Sequence, residues 1–211
     1  MRMTIRLAVV GLVLMLAQGV VRAQGFFGAL RGNTLMLLGQ ESVQKELKLT
    51  DEQKTKVDEL RTKSREKMQE IFQGDEGERQ TKMQALNEEN RKAVAAILSP
   101  EQGKRLKEIA YQQRGPAASF ADPEVVKALS LTEEQQEKVK TINQETQAAM
   151  RELFTPGQAP DDDTRNKMND LRKKSGEKML ALLTPEQKTK WTELQGEAFK
   201  GEIRSGPPRQ Q

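Results

Sequence analysis

The residue types that most often do chemistry are missing from this chain or arranged for something else. It has no histidine and no cysteine, which removes the commonest general base, the thiol nucleophile and the usual transition-metal ligands. Carboxylates are abundant, but they sit among lysines at helical spacings, the pattern of solvated ion pairs. The acidic run Asp161, Asp162, Asp163 has the charge for calcium but lacks the alternating ligands, glycine and distal glutamate of a calcium loop. It reads as the acidic start of a helix near Thr164. There is no glycine-rich phosphate loop before a helix and no Gly-x-Ser-x-Gly turn. These residues imply no cofactor and no transition metal, and point to a binding protein, not an enzyme.

What the chain does repeat is a phrase: LTDEQ at 49–53, LSPEQ at 98–102, LTEEQ at 131–135 and LTPEQ at 183–187. Its chemistry is that of a helix start. A Thr or Ser hydroxyl can accept a free backbone N–H of the first turn, and a Gln three residues on can reach back to the N–H of the cap residue. The pairs Thr50 and Gln53, Ser99 and Gln102, Thr132 and Gln135, and Thr184 and Gln187 all have this spacing. Acidic residues follow each cap, where the helix dipole favours them. Pro100 and Pro185 take the first helical position, where a missing N–H costs nothing. Leu49, Leu98, Leu131 and Leu183 precede the caps and can close the chain onto a core.

The elements these caps open form two copies of one pattern. Val57, Leu60, Ser64, Met68, Ile71 and Phe72 make one stripe of a 3.6-residue period. Adding 82 gives Val139, Ile142, Thr146, Met150, Leu153 and Phe154, and Val43, Leu47 and Leu49 likewise match Val125, Leu129 and Leu131. The stripe Met83, Leu86, Val94, Ile97 and Leu98 recurs as Met168, Leu171, Met179, Leu182 and Leu183 at an offset of 85. The extra three residues fall between the helices, in turn-forming GDEGE and TPGQAPDDD. Each copy is therefore expected to be a short lead-in turn, two long antiparallel helices and a shorter third helix, opened at Pro100 or Pro185. The fold class is all-α, a tandem pair of helical hairpins over 42–114 and 123–200, with 115–122 as linker. One stripe per helix leaves a thin core. A copy of roughly 70 residues is near the limit of independent stability, so the copies are expected to pack together.

The ends differ from the repeats. MRMTIR is followed by an apolar run from Leu7 to Ala17 and by small residues at Val21 and Ala23. This is the pattern of a secretory signal peptide over 1–23, cleaved after Ala23; the run is too short for a spanning helix of about 20 residues. Cleavage removes Arg2, Arg6 and Arg22 and no acid, so the net charge falls from +4 to +1 and gives no argument for nucleic acid. The segment 24–41 is apolar and glycine-rich. Over 24–39 it reads either as an arm touching a client, a membrane surface or another subunit, or as a start whose leucines dock on the first hairpin. The end 201–211 reads as a disordered tail. Methionines on the stripes fill a core or, where its edge is open, adapt to varied partners. Phe26, Phe27, Met68, Phe72, Met150 and Phe154 are the candidate client-binding residues.

A signal peptide before a small charged helical chain with paired LTxxQ phrases resembles the Spy/CpxP family of periplasmic proteins. The resemblance rests on LKLTDEQKTKVDEL (47–60) with AAILSPEQGKRLKEI (95–109), and LSLTEEQQEKVKTI (129–142) with LALLTPEQKTKW (180–191). It implies bent helical hairpins that dimerise into a cradle, periplasmic location, and either ATP-independent chaperoning of unfolded envelope proteins or damping of an envelope-stress sensor. An adaptor with one fixed envelope partner is the alternative. Family branches that bind metals use histidines, which this chain lacks. The two phrases of each copy lie 49 and 52 residues apart, closer than in the chaperone members. The duplication departs too, and suggests a monomeric pseudo-dimer; a homodimer is the other arrangement.

Overall fold

The computed structural model describes residues 34–153 and 161–203. All nine elements among them are helices: α1 Thr34–Leu38, α2 Glu41–Glu46, α3 Asp51–Gln73, α4 Glu76–Ile97, α5 Pro100–Ser119, α6 Pro123–Leu129, α7 Glu133–Glu152, α8 Asp162–Ala181 and α9 Pro185–Gln195. None is long and apolar enough to cross a membrane. The chain divides into two compact units, one ending at Lys104 and one beginning at Arg105.

In the first unit, α3 and α4 are joined by Gly74 and Asp75 and run antiparallel. Gln53 of α3 meets Ile97, Ser64 meets Asn90 and Lys67 meets Glu89, so partner numbers fall as those on α3 rise. Asp75 caps α4 through Gly77 N–H at 2.8 Å. Val57, Leu86, Val94 and Leu98 are buried between the helices, with Val43, Leu47 and Leu49 of the lead-in closing the base. Leu37 and Leu38 are buried as well, while Met36 points outward. The docked start foreseen for the leucines of the N-terminal segment thus describes α1, whose Leu38 carbonyl accepts Gln44 Nε2 at 2.8 Å.

The second unit has α7 and α8 antiparallel, with Gln135 reaching Leu182 and Glu145 facing Lys178. Its core differs in kind. Trp191 of α9 packs edge-on against Phe120, ring centroids 5.0 Å apart, and tilted against Tyr111 at 5.9 Å. Leu106, Ile109 and Leu129 are fully buried with them.

This unit corrects the expected boundaries. Residues 115–122 are not a linker: Ser119 and Phe120 are buried, and Phe120 is a central core side chain. The later part of α5 is tied into the same unit, with Arg105 Nη1 on Glu197 O at 2.8 Å and Gln112 exchanging hydrogen bonds with Gln195, Glu197 and Phe199. The third helix of the first copy is shorter than the two long ones, as expected. Helix α5 runs for 20 residues and is interrupted at Gly115, whose φ of 66° and ψ of −177° suit only glycine. Pro116 then opens a fresh turn, and Pro123 starts α6, because proline is pre-set for a first helical position.

Candidate functional site

All four repeated phrases form capping boxes. The Thr50, Ser99, Thr132 and Thr184 hydroxyls accept the backbone N–H of Gln53, Gln102, Gln135 and Gln187 at 3.2–3.3 Å. The glutamine side chains accept the cap N–H groups at 2.9–3.0 Å. The glutamines also do something the spacing did not announce. Gln53 Nε2 donates to Gln102 Oε1 at 2.7 Å and to the Ile97 carbonyl at 2.8 Å. Gln102 Nε2 donates to Gln53 Oε1 at 3.0 Å and to the Leu47 carbonyl at 3.1 Å. Each amide thus uses two donors and two acceptor positions, its full capacity. Ile97 and Leu47 lie at the ends of α4 and α2, where carbonyls lack intrahelical partners.

The second unit repeats the joint with one change. Gln135 Nε2 donates to Gln187 Oε1 and to Leu182 O, both at 2.8 Å. Gln187 Nε2 returns to Gln135 Oε1 at 3.0 Å, but its second bond goes to Ser130 O at 3.4 Å, one position further along than Leu47 in the first unit. Ser130 and Lys48 both have a positive φ, 52° and 51°. At each, a 6→1 bond (Leu49 N to Gln44 O, Leu131 N to Val126 O) closes the lead-in helix, so the phrase leucine ends one helix and the next residue caps another.

The candidate client-binding side chains are spread along the stripes. Phe26, Phe27 and Phe154 lie outside the described residues. Met68 in the first unit and Met150 in the second are half-buried. Phe72 is 58% exposed at the tip of the first hairpin. There, with Ile71, Met83 and Arg79, it lines an open depression of about 330 Å³. Burial is graded along both hairpins: complete at the bases, near Val57, Val94, Val139 and Met179, and, Ile71 apart, partial towards the tips, at Met83, Met150, Leu153 and Met168.

Charged groups serve the helices. Asp161 caps α8 by accepting Thr164 N–H at 2.8 Å, and hydrogen bonds from the Thr164 side chain and backbone hold its carboxyl below the usual range. Asp162 and Asp163 pair with Arg165 and Lys167 on the same helix. Asp122 is different: it caps α6 through Glu124 N–H at 3.0 Å while itself buried, and burial, with the nearby Glu124 charge, pushes its carboxyl up. Burial also raises the Tyr111 phenol.

No family model, curated protein or solved structure matches the chain.

Proposed function

We propose that this chain is an exported, Spy/CpxP-like helical protein that holds unfolded or partner proteins in the bacterial envelope without ATP, as a chaperone or a stress modulator. One observation carries the reading: the apolar stripe of the first hairpin continues beyond the point where the core can cover it, leaving Phe72 58% exposed beside Ile71 and Met83. An apolar edge of this kind, on a rigid, charged, soluble frame, offers weak adhesion to apolar segments. The surrounding charges keep the protein from adhering to itself. Half-buried methionines suit varied partners, since the thioether adapts to different shapes.

The test is aggregation of several unrelated, chemically unfolded proteins with and without the purified protein, in the absence of nucleotide. Suppression across the set supports chaperoning. Suppression of none, with one protein retained specifically on an immobilised column, supports the alternative reading as an adaptor with a fixed envelope partner. The rigid glutamine joints at the hairpin bases favour that alternative, because they give a surface of set geometry. Export is tested by the N-terminal sequence of the secreted form, expected to begin after Ala23.

A further inference from the structure

The depression at the first hairpin tip has an apolar floor and an uneven polar rim. Ile71, Phe72 and Met83 supply the floor, and Gln80, Gln84, Asn87 and Arg79 the rim. The rim holds one cation and no carboxylate, although charges of both signs crowd the rest of these helices. Arg79 is poorly satisfied: Nη2 donates to Phe72 O at 3.0 Å, the Glu76 carboxylate lies as far as 4.0 Å from Nη1, and Nε is buried with no hydrogen-bond partner. Gln80 and Gln84 are four residues apart on one helix, about 6 Å along its axis at 1.5 Å per residue, close to the two-residue repeat of about 6.6–6.8 Å in an extended chain.

We infer that this groove takes a short extended peptide segment carrying an apolar side chain next to a carboxylate. The apolar side chain lies on Ile71, Phe72 and Met83, the carboxylate meets Arg79, and the amides hold the peptide backbone. The inference deepens the proposed function and rests on it. A second copy of the chain fits less well, since a stable dimer needs about 800 Å² from each partner and this depression has room for only one or two side chains.

The probes are three ten-residue Gly/Ser peptides, one with a central Leu–Glu pair, one with Leu–Lys and one with Ser–Glu, titrated into the isotope-labelled protein and read by amide chemical shifts. Leu–Glu is expected to bind about threefold more tightly than Leu–Lys at low salt, with shifts centred on residues 71–87, and Ser–Glu to bind most weakly. R79K keeps this order, R79E reverses the first two, and F72S weakens both leucine peptides. An order that R79E leaves unchanged, or shifts centred elsewhere, overturns the inference. So does a dimer in sedimentation that F72S abolishes, which assigns the groove to a second copy. Aggregation suppression by the same wild-type protein separates the two levels. If it persists while the R79E order does not reverse, only the groove assignment falls. If it is absent while the order reverses, the groove stands and general chaperoning falls.

Discussion

Gln53 and Gln102, 49 residues apart, bond to each other twice through their side-chain amides, at 2.7 and 3.0 Å, while each also caps its own helix. The pair fastens the start of α3 to the start of α5 and satisfies carbonyls at the ends of α2 and α4. Removing one member deletes a cap and leaves the other amide and a helix-end carbonyl short of partners. Gln53→Ala is expected to cost about 2–3 kcal/mol, whereas Gln69→Ala on the exposed face of α3 stays within about 0.5 kcal/mol. Gln53→Glu removes both donors and sets a carboxylate against the Gln102 oxygen and the Ile97 carbonyl. Its folded-state pKa is then raised above the unfolded value near 4.3. The penalty is full at neutral pH and shrinks as pH falls through the folded value. Urea melts at pH 7 and pH 4, followed by circular dichroism, check both outcomes; a Gln53→Glu deficit that stays constant with pH contradicts the joint.

Much of this was legible in the sequence because its signals are local. A hydroxyl and an amide three residues apart announce a cap whatever the tertiary structure, and all four boxes are where the phrases put them. The Gln53–Gln102 pairing was not legible, since nothing within five residues says that two caps will meet. The segment 115–122 misled for a related reason: Gly115, Pro116 and Pro123 look like a linker locally, yet Phe120 among them finds Trp191 71 positions away. The exposure of Phe72 was equally hidden, because a stripe's period shows which face is apolar and not how far along it the partner helix reaches.

The two hairpins solve one internal problem differently. Ser64 is buried in the first stripe, and Asn90 Nδ2 donates to its hydroxyl at 2.8 Å across the helix pair. The corresponding residues in the second unit are Thr146, which turns its hydroxyl to Ile142 O of its own helix, and Ser175, whose hydroxyl is buried without a partner. The same substitution should therefore have opposite signs. Ser64→Ala strands the Asn90 amide and costs about 1–2 kcal/mol; Ser175→Ala removes an unsatisfied hydroxyl and stabilises by about 1 kcal/mol. Thermal melts of the two variants decide it, and a destabilised Ser175→Ala would mean that the hydroxyl is satisfied in solution.

Two glycines of the second unit make a similar contrast. Gly176 lies inside α8, and a methyl group there would meet Pro116 Cδ at 3.6 Å, an ordinary contact. Gly176→Ala should stabilise by about 0.5–1 kcal/mol through helix propensity and a less free unfolded chain. At Gly115 a methyl group meets nothing within 4 Å, but φ is 66°. Gly115→Ala should cost about 1–3 kcal/mol from backbone conformation alone. Trp191, the only tryptophan of the chain and buried in this unit, reports both unfolding transitions by fluorescence.

Asp122 gives the clearest pH dependence. Its carboxyl caps α6 from a position where burial and the Glu124 charge disfavour ionisation, and the Glu124 N–H, Arg114 and Lys107 offset only part of that. A raised folded-state pKa means that the native protein holds this proton more tightly than the unfolded chain does. Ionisation therefore destabilises the fold above the folded pKa, and that loss disappears as pH falls below the unfolded value near 3.9. Asparagine caps a helix as well as aspartate and carries no charge, so Asp122→Asn is expected to exceed the wild type in stability at pH 7. Other carboxylates, held low by lysine and arginine neighbours, destabilise both proteins on acidification, so the readout is the difference between the two. Urea denaturation followed by Trp191 fluorescence should show the advantage of Asp122→Asn shrinking from pH 7 to pH 3.5. An advantage that grows on acidification would show that the ionised cap, with its bond to Glu124 N–H, outweighs the cost of burying its charge.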